Sequence, residues 1–265
     1  MDLTSLDRIR AAHHRTDLAI GPGSAPLAGG TWLFSEPQPD LTELVDLTTL
    51  GWPAVEHTAD GISLAATCTI RQLVDLAPVD GWVSQHLVVR CARSLVASEK
   101  IWDWATVGGN VCTALPAGAL TSLAVALDAT AVVWTPDGGE RRQPVAAFVT
   151  GVRTTTLAPG EVLRSLELAS SVLAEPAAFR RAALTRHGRS GAIVVGRRSA
   201  AGLVVTLTAG VTRPHRLAFP SFPGADEVRA AIEQVDDWYD DPHGAPDWRR
   251  AMTLRLAEQV REELS

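Results

Sequence analysis

Leu27-Ala28-Gly29-Gly30-Thr31-Trp32, and further on Thr106-Val107-Gly108-Gly109-Asn110, are the two stretches that decide how this chain reads. Each follows or closes a short apolar run (Ala25 to Ala28; Ala105 to Val107) and brings the backbone to a turn clear of side chains. Glycine accepts positive φ, and successive amides in such a turn can converge on one anion. Alone, a Gly-Gly pair is most often a simple turn. Two pairs, each with a threonine beside the glycines, imply a diphosphate held between two loops, and so a dinucleotide cofactor.

The chain has 265 residues, enough for a full core and for two modest domains. Its apolar and charged fractions, 46% and 20%, are those of an ordinary globular protein. A net charge of -6 with scattered arginines argues against nucleic-acid binding. Met1 to Arg15 carries Asp2, Asp7, Arg8 and Arg10 and has no apolar core of signal-peptide length. No run reaches the roughly 18 apolar residues of a membrane span. These features read as cytoplasmic, with no membrane partner. Cys68, Cys91 and Cys112 are odd in number and widely spaced, which supports neither a disulfide framework nor a metal or iron–sulfur site. Any metal belongs to a partner.

Short strands are expected at Leu18 to Ile20, Pro26 to Ala28, Leu44 to Leu47 and Gly61 to Ala65. A helix over Thr69 to Leu76 would be capped by Thr67 or Thr69. Pro116 to Leu127 reads as a helix, Ala129 to Thr135 as a strand closed by Pro136-Asp137-Gly138-Gly139, and Val162 to Leu168 as another strand. The character of the chain changes around Ser170 to Pro176. Beyond it lie strands at Ala192 to Val195 and Leu203 to Ala209, the latter with period-2 alternation, and two closing helices. In the last helix, Trp248, Met252, Leu256, Val260 and Leu264 recur every fourth residue, a stripe for core packing or a subunit contact.

Read with their flanks, the glycine loops become specific. The ordered set includes Leu44-Val45-Asp46-Leu47, Asp60-Gly61-Ile62, Ala66-Thr67, Cys112, Pro116 and Ala126-Leu127-Asp128-Ala129. It continues with Gly151, Thr156-Leu157, Pro159-Gly160-Glu161 and Leu163. In this order and spacing the chain resembles the FAD-binding medium subunit of molybdenum hydroxylases, the xanthine dehydrogenase and carbon monoxide dehydrogenase type. The likeness runs from about Ser24 to Leu168 and continues more weakly through Arg186 to Val195, Asp236-Asp237, His243-Gly244 and Trp248-Arg249-Arg250.

The resemblance implies an α+β fold. A two-lobed FAD-binding domain of the vanillyl-alcohol-oxidase type would span residues 1–168, and a smaller C-terminal domain of antiparallel strands and helices residues 169–265. It implies that Leu27, Ala28, Gly29, Gly30, Thr31 and Trp32 lie along the FAD diphosphate and donate backbone N–H groups. Thr106, Gly108, Gly109 and Asn110 would form the second loop, Leu163 a backbone contact, and Arg180 a basic residue near the flavin ring. Three departures stand out. Trp32 replaces a small polar or acidic residue, Trp102-Asp103 replaces Arg and Asn, and Ala119 stands where relatives carry a cofactor-bonding Asp. The short lead before the first glycine loop implies that a leading strand and helix are trimmed.

The expected role is an FAD-carrying electron-transfer subunit, with no catalytic acid, base or nucleophile and no metal of its own. A molybdenum cofactor would sit on a large partner and [2Fe-2S] clusters on a small one, with NAD, oxygen or a quinone as acceptor. Two other readings remain open at this level: a self-contained FAD-dependent oxidase or dehydrogenase, and a flavin-free assembly subunit. Cys112 reads as a small buried residue, His187 and His243 as surface or hydrogen-bonded structural residues, and the Asp236-Asp237 and Asp240-Asp241 pairs as a solvated loop.

Overall fold

The computed structural model describes residues 5–265; the first four residues of the amino-terminal stretch read above lie outside it. The chain opens with three short strands, β1 (Arg8–Ala11), β2 (Ser24–Leu27) and β3 (Glu43–Asp46), that form a small parallel sheet in the order β1-β3-β2. Its central strand is apolar on both faces at Leu44 and Val45, as suits a strand covered on two sides. Glu43 clamps the sheet across its strands. Its carboxylate accepts from Arg10 at 3.1 Å and from the Ser24 hydroxyl at 2.8 Å, and Arg8 lies 2.7 Å away. Those donors hold its carboxyl below the usual range.

The expected strand at Leu18 to Ile20 is instead irregular connection, following a single 3₁₀ turn at Arg15–Asp17. Its backbone carbonyls serve another purpose: the Ala19 carbonyl accepts from Arg10 at 3.0 Å. A leading strand is present after all, as β1, while the segment that follows it is reduced to that turn.

The second lobe is a five-stranded antiparallel sheet with helices packed against it. In chain order it comprises β4 (Val55–His57), β5 (Gly61–Ala65), α1 (Ile70–Val74), α2 (His86–Ser94), α3 (Glu99–Trp102), α4 (Val107–Thr113) and α5 (Ala119–Ala126). Then come β6 (Thr130–Trp134), β7 (Glu140–Pro144), α6 (Val145–Phe148), the hairpin β8 (Val149–Gly151) and β9 (Thr154–Thr155), and β10 (Val162–Ala169). The sheet order is β4-β5-β10-β6-β7, so β10 returns to the middle between strands far from it in sequence. Thr69, not Thr67, caps α1. Its side chain accepts from the Gln72 N–H, and the Gln72 side chain accepts from the Thr69 N–H in return. Arg15 ties the first lobe to the second, lying 4.5 Å over the Trp134 ring, which meets Trp52 edge to face.

After a short helix α7 (Ser170–Leu173), a four-stranded antiparallel sheet runs β11 (Ala177–Ala182), β12 (Ala192–Arg198), β13 (Leu203–Thr208), β14 (His215–Phe219) in sequence order. Helices α8 (Ala225–Glu233) and α9 (Pro246–Glu263) complete the chain. The alternation read in β13 is real, yet every residue of the strand is buried. Leu203, Val205 and Leu207 join the core beneath α8 and α9. On the other face the Thr208 hydroxyl sits 2.7 Å from that of Ser122 on α5. Strand β12 is likewise two-faced: Ile193 and Val195 belong to the core of the preceding lobe, Ala192 and Val194 to the core under α9. Helix α5, sandwiched between α2 and α4 on one side and β12 and β13 on the other, is therefore buried all round rather than along one stripe.

The repeating stripe of α9 is core: Leu256, Val260 and Leu264 are buried there and Met252 packs at its edge. Beside the stripe sits Arg249, fully buried. Its guanidinium donates to the carbonyls of Gly244 (2.7 Å), Gly191 (2.8 Å) and Ala209 (2.6 Å) and pairs with Asp241. One side chain thus gathers three separate backbone segments, which the periodicity of α9 does not reveal. Asp241 is spent on Arg249, and Asp237 accepts from Thr212 at 2.6 Å and faces His215 at 2.5 Å. Each pair expected as solvated loop therefore divides, with Asp237 and Asp241 engaged and Asp236 and Asp240 exposed.

Replacing Arg249 with methionine keeps the stem but strands three carbonyls and Asp241. A loss of about 3 kcal/mol in folding stability is expected, measured by urea denaturation against the wild type.

Candidate functional site

A cleft of about 600 Å³ opens between the two glycine loops, within the size range of small-molecule sites. The sequence-selected residues Leu27, Ala28, Gly29, Gly30, Thr31 and Trp32 line it, as do Thr106, Gly108, Gly109, Asn110 and Leu163. Arg180 does not. It lies on β11 and its guanidinium pairs with Glu263 at the end of α9.

The two loops do different jobs. In the second, Thr106 caps α4, its hydroxyl accepting from the Gly109 N–H at 3.0 Å. The Val107 N–H donates to the Cys68 carbonyl (2.8 Å), the Gly108 N–H to the Ala66 carbonyl (2.9 Å), and the Asn110 N–H to the Thr106 carbonyl (3.0 Å). The Asn110 Oδ1 accepts from the Leu120 N–H at the start of α5 (2.9 Å). Every amide from Val107 to Asn110 is therefore engaged inside the protein. This loop forms a rigid wall and offers a ligand side-chain groups, not a nest of free amides.

The first loop is the reverse. Among the described residues, the N–H groups of Gly29, Gly30, Thr31, Trp32 and Leu33 have no partner in the protein. Gly30 has φ +67°, the left-handed conformation that glycine adopts without strain, and the carbonyl of Gly30 then accepts from the Phe34 N–H at 2.8 Å. Five successive free donors at the rim of a cleft suit an anion with several oxygens. The indole Nε1 of Trp32 is also buried without a partner, a further donor left over.

The glycines are required chiefly by the protein itself. A Cβ on Gly29 would lie 2.6 Å from the carbonyl carbon of Trp104, and one on Gly108 would lie 2.7 Å from the Cα of Ala66. These are backbone-to-backbone approaches that bring the loops to opposite walls of one cleft.

Several lining residues were not selected from the sequence. Leu33, Leu95, Ile101, Leu115 and Leu157 supply apolar wall, and Arg153 and Glu161 supply charge. Arg153 lies in the β8–β9 turn, its guanidinium 5.6 Å over the Trp32 ring. Glu161 is gripped by Arg141 at 2.6 and 2.8 Å and accepts from the Ala158 N–H at 2.8 Å. Arg141 holds its carboxyl below the usual range. The signal for both lay in the Gly151 and Pro159-Gly160-Glu161 segments, which follow the family order but carry no chemistry that singles them out alone. Ala119 is fully buried and outside the cleft lining. Trp102 is buried too, with Arg71 over its ring at 5.6 Å. Cys112 lines the cleft, and burial pushes its thiol up to about 12, so it stays protonated and unreactive near neutral pH.

Residues 5–169 match the family described as the FAD binding domain in molybdopterin dehydrogenase, and the chain belongs to that family. It is an oxidoreductase component whose cofactor is FAD. The cleft fits that group, since the lining loop from Gly29 to Leu33 has N–H groups with no partner among the described residues. Among solved structures it is similar to a chain of quinoline 2-oxidoreductase from Pseudomonas putida 86, with 21% identity, coverage of 100% of this chain and 99% of that one, and a TM-score of 0.81. It is also similar to carbon monoxide dehydrogenase from Hydrogenophaga pseudoflava lacking the Mo-pyranopterin moiety of its cofactor (20%, 96% and 95%, 0.81). A third likeness is to reconstituted CO dehydrogenase from Oligotropha carboxidovorans (19%, 99% and 98%, 0.80). At these identities the structures speak for the fold. A sequence comparison with curated proteins gave no match.

Gly29→Ala should lower folding stability by about 2 kcal/mol or more through the clash with Trp104. Gly21→Ala, with nothing within 4 Å of the added carbon, should be neutral; thermal melts of the pair make the comparison. Because burial disfavours the Cys112 thiolate, maleimide at pH 8 should label it far more slowly in the folded protein than after denaturation, as read by mass spectrometry.

Proposed function

We propose that this chain is the FAD-carrying electron-transfer subunit of a heteromeric molybdenum hydroxylase. In this reading a large partner carries the molybdenum cofactor and a small partner carries [2Fe-2S] clusters. Electrons leave this chain for NAD, oxygen or a quinone. The family match and the run of free amides from Gly29 to Leu33 support the reading, and the amides carry it.

When bound, FAD would supply the redox chemistry, accepting and releasing electrons one or two at a time. The chain's own work is binding and shielding. Leu27 to Trp32 would lie along the diphosphate, with Gly29 to Trp32 offering N–H donors whose loop geometry is fixed by the Gly29–Trp104 approach. Thr106, Gly108, Gly109 and Asn110 would form the opposite wall, Asn110 held in place by the α5 N–H of Leu120. Leu163 and the neighbouring leucines would exclude water from the apolar part of the ligand. Among the described residues the lining presents amides, one free cation and apolar surface, which is the equipment of a cofactor holder, and no residue is assigned as acid, base or nucleophile. We also propose the change of domain near residue 168, where β10 gives way to α7 and then to the C-terminal sheet.

The full chain, isolated gently with its native partners, should show visible flavin absorbance and release FAD in equimolar amount on heating, identified by chromatography. It should co-purify with two unlike chains, one carrying molybdenum and one carrying iron and labile sulfide. A colourless preparation that takes up no added FAD would defeat the cofactor assignment, and a yellow chain that turns over an organic substrate alone would defeat the subunit role.

A further inference from the structure

Resting on the reading of the cleft as an FAD site, we infer that Arg153 is the cation that positions the cofactor's diphosphate, held in place by the face of Trp32. The geometry that carries Arg153 to the cleft is unusual. It has φ +56°, a left-handed conformation that a long side chain rarely adopts. Its N–H donates at 2.8 Å to the carbonyl of Ala114, itself left-handed at φ +50° beyond the end of α4. Two strained non-glycine residues joined by a hydrogen bond persist only where the surroundings fix them, and such strain clusters at ligand sites. Here its effect is to couple the β8–β9 turn to α4, the helix that the second glycine loop begins, and to hold the Arg153 side chain at the cleft.

The electrostatics point the same way. Among the described residues Arg153 has no carboxylate partner and its guanidinium makes no hydrogen bond. The carboxylate sharing the lining, Glu161, is already claimed by Arg141. Arg153 is thus an unspent positive charge beside five unspent amides. The Trp32 ring lies 5.6 Å from the guanidinium carbon, a cation–π contact that leaves the N–H donors of the exposed Arg153 for a ligand. A diphosphate brings two negative charges to that place. Trp32 becomes a platform under the cation. Arg153 is a binding and positioning residue, with no part in electron transfer itself.

The test is an equilibrium titration of the flavin-free full chain with FAD across a range of salt concentrations. Arg153→Gln should weaken binding about tenfold, the size of one charge-assisted hydrogen bond, and should flatten the dependence of affinity on salt. Arg153→Lys should keep the salt dependence and recover only part of the affinity, because an ammonium lacks the planar fork. If Arg153→Gln does not fold, Arg153→Lys carries the comparison alone. Wild-type protein that fails to bind FAD would remove the cofactor reading itself. Wild-type binding with unchanged affinity in the variants, or a loss with unaltered salt dependence in Arg153→Gln, would remove the assignment of Arg153 and leave the cofactor reading standing.

Discussion

The structure turns on the approach of one backbone to another at Gly29, where the loop following β2 lies against the carbonyl of Trp104. The two residues come from different lobes, and no side chain fits between them. That contact places the free amides of Gly29 to Leu33 opposite the wall built from Thr106 to Asn110. The wall itself is fastened by hydrogen bonds to Ala66 and Cys68, in the turn between β5 and α1. A loop whose amides are all engaged makes a stiff reference surface. A loop whose amides are free makes a reader of anions. The division of labour between two similar sequences follows from their neighbours: the second loop opens a helix and bonds to carbonyls beside a strand end, while the first follows a strand into a turn whose amides meet no acceptor.

Behind the wall, the fold stacks its layers so that rigidity reaches the cleft from the far end of the chain. Asn110 is held by the first turn of α5, and α5 is covered on its other side by β12 and β13. Arg197 on β12 donates to the Ala126 carbonyl at 3.0 Å and pairs with Asp128 and Glu175, so the C-terminal sheet grips the end of that same helix. On the opposite face of the sheet, α9 and the buried Arg249 fix the loops that join its strands. The C-terminal segment thus contributes no residue to the cleft lining, yet it buttresses the helix that orients one wall.

Much of the site was legible because glycine pairs with adjacent threonines serve few purposes when they recur in a fixed order with other motifs. Eleven of the selected lining residues fall in one cleft for that reason. Arg180 lies outside that cleft lining, since a basic residue on a strand carries no mark of which partner it will choose, and here Glu263 of α9 claims it. Arg153 was passed over because arginine in a turn is ordinary by sequence. Its significance depends on a left-handed backbone and on Trp32 lying beneath it, neither of which has a local signature. The strand expected at Leu18 to Ile20 failed on the same ground, since a short apolar run forms a strand only where a neighbouring edge awaits it.

Taken alone, the sequence determined the class of fold, the presence of two glycine loops, the short elements with strong periodicity, and the family to which the chain belongs. Those features are written in local residue types and their order. Tertiary structure decided which loop keeps its amides free, which arginine faces the cleft, and why α5 and β13 are buried on every side. Each of these depends on what a distant segment brings alongside, and hydrogen-bond partners and close backbone contacts between distant segments leave no trace in local spacing.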